Sequence, residues 1–354
     1  MAAIFLRDEG ITFSDVLLVP QFSKIESRSM VDLSVYLDCG DNKKFKFETP
    51  VIAANMKTIM SKKLALESVI AGCLTLLHRF CTLQDQIDII DFLDDKETSK
   101  NIFDYLGVSV GVKKIDKQNL DVFIARGIKI VCIDIAHCDS ILGIEMCKYI
   151  STKYPNVLLI AGNVATAGGA NRLWDAGADV IKAGIGPGSL CSTRLEAGAG
   201  VPQLTAIMNI WNERQQYGLN NKYIISDGGV IHNCDFGKAL CFSHLVMSGN
   251  KFAGSSSCPG EIIEIKDGKK YKKYVGSSTH KSKNVEGVEA LVTIKPAYPV
   301  ILDKIIGAIQ SCCSYQGVKN LEELKENPVF MRVSSASWHE SKPHNIEIIE
   351  IIEK

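Results

Sequence analysis

Residues 129–150 read KIVCIDIAHCDSILGIEMCKYI, and this stretch holds the alternation that decides the fold. Its first part, KIVCIDIA (Lys129–Ala136), is almost continuously apolar, with one acid, Asp134, near its end. SILGIEMCKYI then carries apolar residues at helical spacing. A strand without a polar face is buried on both sides, and the segment after it supplies a cover. The pair reads as one strand of a parallel sheet followed by its helix. Toward the N-terminus the same pairing recurs in VIAAN (Val51–Asn55) with SKKLALESVIAG, LTLLH (Leu74–His78) with LQDQIDIIDFL, and DYLGVSV with IDKQNLDVFIARG. Toward the C-terminus VLLIAGN, ADVIKAGI, KYIISDGG and HLVMSG each precede a candidate helix. Eight such units predict a single α/β domain, a (β/α)8 TIM barrel spanning residues 1–354, rather than two doubly wound domains.

Composition agrees with a well-buried globular chain. Of 354 residues, 46% are hydrophobic and 23% charged, and 40 basic residues balance 40 acidic ones. A zero net charge argues against a duplex-binding face, so no nucleic-acid partner is expected. No apolar run reaches the roughly 18 residues of a membrane span, and MAAIFLRDEG does not read as a signal peptide. The twelve cysteines show neither CxxC pairs nor zinc-type spacing. Reduced thiols in a cytoplasmic protein are the expectation.

Two stretches break the rhythm. Gly186–Gly200 (GPGSLCSTRLEAGAG) is a long loop after the sixth strand, too glycine-rich for a helix. Residues 261–294 interrupt the eighth unit. There EIIEIKDGKKYKKY predicts a β-hairpin turning at Asp267-Gly268, and STHKSKNVEG reads as a mobile flap. The tail, residues 334–354, is expected to be frayed or a surface strand.

Chemistry in such barrels gathers at the C-terminal strand ends. Cys191 lies in the glycine loop beside Ser192, Thr193 and Arg194, a setting that suits a nucleophilic thiol. A packing role, as for most free cysteines, is the competing reading. SDGG (Ser226–Gly229) ends the seventh strand and SGN (Ser248–Asn250) the eighth. Those two loops are where phosphate commonly docks in this fold, and Asp227 suits ribose hydroxyls. A tight turn with a capping Asp explains SDGG equally well. Asp134 either faces the mouth or caps a helix. His78 and His137, also at strand ends, suit acid/base work or simple packing. Glu286, taken alone, reads as solvated surface. Together these residues suggest a barrel enzyme acting on a phosphorylated, nucleotide-like substrate through a thiol.

Longer motifs carry a resemblance. FSDVLLVP (Phe13–Pro20), ESRSMVDL (Glu26–Leu33), PVIAANM, AGNVAT, AGIGPGSLCSTR, GVPQLTA, ISDGG and DGKKYKKY resemble, in order, the IMP dehydrogenase/GMP reductase family. Within it the chain looks like the reductase branch. No regulatory module interrupts the barrel after its second unit, and no Arg-Tyr pair occurs between Glu261 and Ile294. NVEG instead puts Glu286 where reductases carry an acid.

The resemblance implies NADPH-dependent reductive deamination of GMP to IMP and ammonia, in purine nucleotide interconversion. Cys191, Thr193 and Glu286 would be catalytic. Ser189, Asp227, Gly228, Gly229, Ser248, Gly249, Gly276, Ser277, Ser278 and Gly287 would hold the nucleotide. Ser27, Arg28, Arg79, Asp134, Ile135, Ala136, Ile185, Gly186 and Lys283 would contact the cofactor, with Ser311, Ser314 and Tyr315 reaching that of a neighbouring subunit. Gly186, Gly188 and Cys191, with Arg194 nearby, match a monovalent-cation (K+) site, and a homotetramer is implied. Departures from the family pattern are Lys57 in place of Asp, His137-Cys138 in place of Asn-Gly, Ser248 in place of Gly, and Ser255 in place of His. An IMP dehydrogenase without regulatory modules, or a weakly active nucleotide-binding homologue, is the alternative.

Overall fold

A computed structural model describes residues 9–40, 42–96, 98–265, 268–276 and 288–341. Its centre is a parallel sheet of eight strands: β1 (Val51–Ala53), β2 (Thr75–Leu77), β3 (Leu106–Val110), β4 (Ile130–Asp134), β5 (Leu158–Val164), β6 (Val180–Ala183), β7 (Tyr223–Asp227) and β8 (Leu245–Ser248). Hydrogen bonding runs from β2 in order to β8 and then to β1, and β1 lies against β2, so the sheet nearly closes. Helices α1 (Lys62–Ile70), α2 (Leu83–Asp94), α3 (Lys114–Ala125), α4 (Ile141–Lys153), α5 (Ala167–Asp175), α6 (Gln203–Gln216), α7 (Cys234–Leu240) and α8 (Tyr298–Gln316) follow the strands in turn. This is the expected (β/α)8 barrel, and all eight predicted strands fall where the apolar runs stand.

The reasons are local as well as global. Every residue of β3 is buried, as a strand between helices and barrel interior must be. Helix starts are set by side-chain caps. Ser61, Thr82, Ser140 and Thr166 accept the amides of Leu64, Asp85, Gly143 and Gly169, each cap worth about 1 kcal/mol. Asp134 therefore does not cap α4; Ser140 does. At Gly143 a Cβ would come within 2.2 Å of the Cys138 carbonyl oxygen, so only glycine lets α4 start this close to β4.

An antiparallel hairpin, Val35–Asp38 with Lys44–Phe47, covers the N-terminal end of the barrel. Lys43 Nζ lies 2.6 Å from Asp179 just before β6, and the Asp38 amide donates to the Tyr223 hydroxyl at 2.7 Å. With that end plugged, the opposite end is the one open for chemistry.

The excursion after β8 is a three-stranded antiparallel sheet of Ile263–Glu264, Lys270–Val275 and Glu289–Thr293. The expected hairpin is present, but its first arm is two residues long. The longer arm pairs mainly with Glu289–Thr293, and buried Lys272 ties it to the barrel by donating to the Ser255 and Cys258 carbonyls. Asp267 and the flap STHKSKNVEG lie outside the described residues. The described part of the tail differs from expectation, while residues 342–354 lie outside the described residues. Its surface strand comes earlier, Phe330–Arg332 pairing with Val16–Leu18, and Ser335–Glu340 is helical because Ser334 caps the Ser337 amide.

Candidate active site

The C-terminal strand ends surround a cavity of about 610 Å3, within the ordinary range for small-molecule sites. Backbone freedom at glycine shapes one wall. Gly184 has φ +149°, and a Cβ there would stand 2.2 Å from the Asp227 carbonyl oxygen, so the ends of β6 and β7 meet only through glycine. Beyond it, Gly186 at φ +85° leaves room for the Arg194 stem, whose guanidinium donates to the Val201 carbonyl at 2.6 Å. The loop is thereby folded back on itself. The Cys191 amide donates to the Gly188 carbonyl at 3.0 Å, and a short helix, Thr193–Glu196, follows. This corrects the expectation of coil throughout Gly186–Gly200: no glycine lies between Gly188 and Gly198, and TRLE is free to wind.

Cys191 is half-buried and lines the cavity, and no other cysteine among the described residues does. Its Sγ lies 3.1 Å from Thr193 Oγ1, which also lines the cavity. The contrast with packing cysteines is clear. Burial pushes the Cys73 thiol up to about 12 and Cys258 to about 11, so those remain protonated.

Asp227, Gly228 and Gly229 form the adjoining wall, the two glycines at φ +85° and +77°. The Gly228 amide donates to the Met247 carbonyl, joining the ends of β7 and β8. Ser248 and Gly249 follow from β8, with Ser189 and Gly276 beside them. Tyr274 fills the space over Gly249, where a Cβ would stand 2.5 Å from its hydroxyl. Burial raises that hydroxyl's pKa to about 12. The expected nucleotide loops after strands seven and eight therefore converge on the thiol.

A buried charge network underlies this surface. Lys182 Nζ is 2.7 Å from Asp227 Oδ2 and 3.1 Å from Asp134 Oδ1, and it also donates to Asn163 Oδ1. Asn163 Nδ2 bonds Asp227 Oδ2 at 2.9 Å and the Gly184 carbonyl at 2.7 Å. Burial opposes the ammonium charge, but the Asp227 and Asp134 carboxylates outweigh it and hold the Lys182 pKa well above its ordinary value. Asp134 thus faces the mouth. Arg79 donates to its carbonyl at 2.6 Å and stacks 4.5 Å over the Phe80 ring. Ile135, Ala136, Ile185 and Gly186 complete this side of the cavity.

Other expected cofactor residues lie elsewhere. Arg28 donates to Ser311 at 3.0 Å on the outer side of α8, where Ser27, Ser314 and exposed Tyr315 also sit; none of the five lines the cavity. Ser277, Ser278, Lys283, Glu286 and Gly287 lie outside the described residues. His78 is buried and His137 exposed, and neither lines the cavity. Burial, aided by the Lys57 charge, lowers the His78 pKa. Among the departures, Ser255 is buried and its hydroxyl donates to the Pro296 carbonyl at 2.8 Å.

Sequence reading missed Lys182, Asn163 and Tyr274. A lysine in the apolar run ADVIKAGI and an asparagine ending VLLIAGN were available signals, since a buried charge needs a partner. Tyr274 carried none, because its strand is placed by sheet pairing.

Among the described residues no group of three or more His, Cys, Asp or Glu side chains converges on a metal site, and no helix is long and apolar enough to cross a membrane.

Residues 10–344 match a model of the IMP dehydrogenase / GMP reductase domain. An inosine-5'-monophosphate dehydrogenase of Chlorobaculum parvum is 38% identical over 265 residues, 69% of this chain. The match covers 53% of that relative, so the chain spans about half its length. A GMP reductase of Lactobacillus delbrueckii subsp. bulgaricus is 35% identical over 90% of this chain and 93% of its own. An inosine-5'-monophosphate dehydrogenase of Nitrosopumilus maritimus is 28% identical, with 96% of this chain and 98% of its own covered.

Proposed function

Because the chain belongs to the IMP dehydrogenase/GMP reductase family, an oxidoreductase family of purine nucleotide metabolism, we propose that it reduces GMP to IMP and ammonia with NADPH. The observation that carries the reading is the Cys191–Thr193 contact of 3.1 Å at the edge of a cavity walled by the β7 and β8 loops. The choice of the reductase reaction rests on Glu286 and the missing Arg-Tyr pair. The match to the Lactobacillus GMP reductase along nearly both full lengths supports it.

In this reading the phosphate sits against Gly228 and meets the amides around Gly229 and Gly249, and Asp227 accepts ribose hydroxyls while Lys182 fixes its carboxylate. Cys191 Sγ adds to C2 of the guanine. Thr193 and Glu286 deliver a proton to the exocyclic amine, the C2–N bond breaks, and ammonia leaves a thioimidate. The nicotinamide cofactor, when bound, supplies the hydride for C2. Sγ then departs as thiolate and IMP is released.

The wall beyond Cys191 suits such a cofactor. Ile135, Ala136 and Phe80 offer flat apolar contact, Asp134 is held rigid by Lys182, and Arg79 adds a cation for phosphate. The carbonyls of Gly186, Gly188 and Cys191 suit a potassium ion. Arg194 would not be a ligand through its side chain, since a guanidinium has no acceptor; it braces the loop. Arg28, Ser311, Ser314 and Tyr315 lie apart from this cavity, as residues serving a neighbouring subunit of a homotetramer would. Twelve free thiols suit a cytoplasmic setting.

The alternative, oxidation of IMP on the same site, draws support from the dehydrogenase name of the Chlorobaculum relative. One assay separates the two. Loss of nicotinamide absorbance with GMP plus NADPH is expected. Its absence, with reduction of NAD+ by IMP instead, would reverse the assignment.

A further inference from the structure

A second cavity, of about 210 Å3, lies between the loop after β8 and the start of α8. It is smaller than the 300–1,000 Å3 typical of sites for drug-sized ligands. Lys251, Lys295 and Lys304 line it together with Asn233 and the first turn of α8. Among the described residues no carboxylate comes within ion-pair distance of any of the three ammonium groups. Two of them, Lys295 and Lys251, instead bond carbonyl oxygens. Lys295 Nζ donates to Asn250 at 2.6 Å and Lys251 at 3.2 Å, and Lys251 Nζ approaches Ile231 at 3.4 Å.

We infer that this cavity binds a small phosphoryl oxyanion of the pyrophosphate class. The Lys251 and Lys295 charges repel one another, Lys304 lines the same concavity, and an anion there would relieve the repulsion. An ammonium carries three donors, so the carbonyl contacts leave further N–H groups for a ligand. Burial, with the Lys251 charge added to it, lowers the Lys295 pKa, and burial lowers that of Lys251. For Lys251, burial outweighs the opposing charge of Asp235. The α8 terminus adds the positive end of a 19-residue helix, a field favouring the same sign of ligand. Asn233, which also lines the cavity, adds a neutral hydrogen-bonding side chain. The site also adjoins the proposed substrate loops, because Asn250 and Ile231 line the main cavity while their carbonyls hold Lys295 and Lys251.

Calorimetric titration of the full chain with sodium pyrophosphate, in a low-salt chloride buffer, tests the site. Saturable binding is expected, and Lys304→Ala should weaken it by about tenfold through loss of one charge-assisted contact. Lys304 is exposed on α8, so the variant should fold, which circular dichroism checks; Lys251→Gln provides an independent second variant. Binding to the main cavity would not respond to Lys304→Ala, so the component that weakens belongs to the outer cavity. Titrating tripolyphosphate against ATP separates the sources. Equal Lys304-dependent affinities mean free phosphoryl groups are read, and tighter ATP means a nucleotide is. No saturable binding at millimolar pyrophosphate, or binding unchanged in both variants, overturns the proposal.

Discussion

The Lys182 ammonium stands 2.7 Å from the Asp227 carboxylate beneath the barrel mouth, so a strand-centre lysine on β6 holds the acid that ends β7. The same ammonium reaches Asp134 on β4 at 3.1 Å. Two acids on the cavity surface, one proposed for ribose and one for the cofactor side, thus share a buried cation and cannot move independently.

Lys182→Met is expected to cost about 3 kcal/mol or more, because it strands two carboxylates that the cation had neutralised. Urea unfolding of the full chain measures it. The pH signature has a definite sign. The folded-state pKa of Lys182 is raised, so its contribution is complete at neutral pH. That contribution fades only as pH climbs past the unfolded value of about 10.4. A variant as stable as the parent would mean that the carboxylates are satisfied by solvent.

Cys191→Ala should abolish turnover while GMP affinity stays within about tenfold, since the phosphate and ribose contacts remain and the thiol supplies only the covalent step. Steady-state rates and a direct titration with GMP read the two effects. Retained activity would rule out the thioimidate.

Glu286→Gln should slow ammonia release by roughly 10²–10⁴-fold, the usual worth of general acid catalysis. An amide keeps the size of the side chain and its hydrogen bonding, yet it delivers no proton. GMP binding should change far less. Rapid-mix measurement of ammonia and of NADPH absorbance distinguishes deamination from reduction, and deamination at the parent rate would remove Glu286 from the chemistry.

Acid should destabilise the fold through His244. This ring is fully buried between Trp211 and Tyr223, and its Nδ1 accepts the Ile224 amide at 3.1 Å at the start of β7. Burial, reinforced by the Lys325 and Arg214 charges, holds its pKa well below the ordinary value. The unfolded chain therefore takes up a proton that the native one refuses. Stability should fall by up to about 1.4 kcal/mol per pH unit below pH 6.5 on this account. Buried His78, also lowered, adds in the same direction. Urea midpoints between pH 7.5 and 5.5, in the parent and in His244→Gln, provide the test; equal slopes would exclude His244 as the sensor.

The barrel was legible because its signals are local. Strands buried on both faces must be apolar throughout, as in LGVSV of β3, and helix starts carry their own caps, as at Thr82 and Ser140. The glycine loop and SDGG were equally plain, since only glycine takes the positive φ at Gly184, Gly228 and Gly229. Where local signals were weak, reading erred. TRLE is too short to announce a helix inside a loop, and the tail's helix depends on one serine cap.

Sequence alone determined the (β/α)8 class, the order of its strands and the position of Cys191 two residues before Thr193. Spacing along the chain and backbone propensity are enough for each of these. Tertiary structure decided which distant residues meet. It joined Lys182 to Asp134 and Asp227 across three strands, and set Tyr274 over Gly249. It also moved Arg28 and Ser311 away from the cavity that holds Arg79. Barrel closure makes such neighbours. Strands far apart in sequence end on one rim, and no pairwise spacing in the chain encodes which side chains turn inward there.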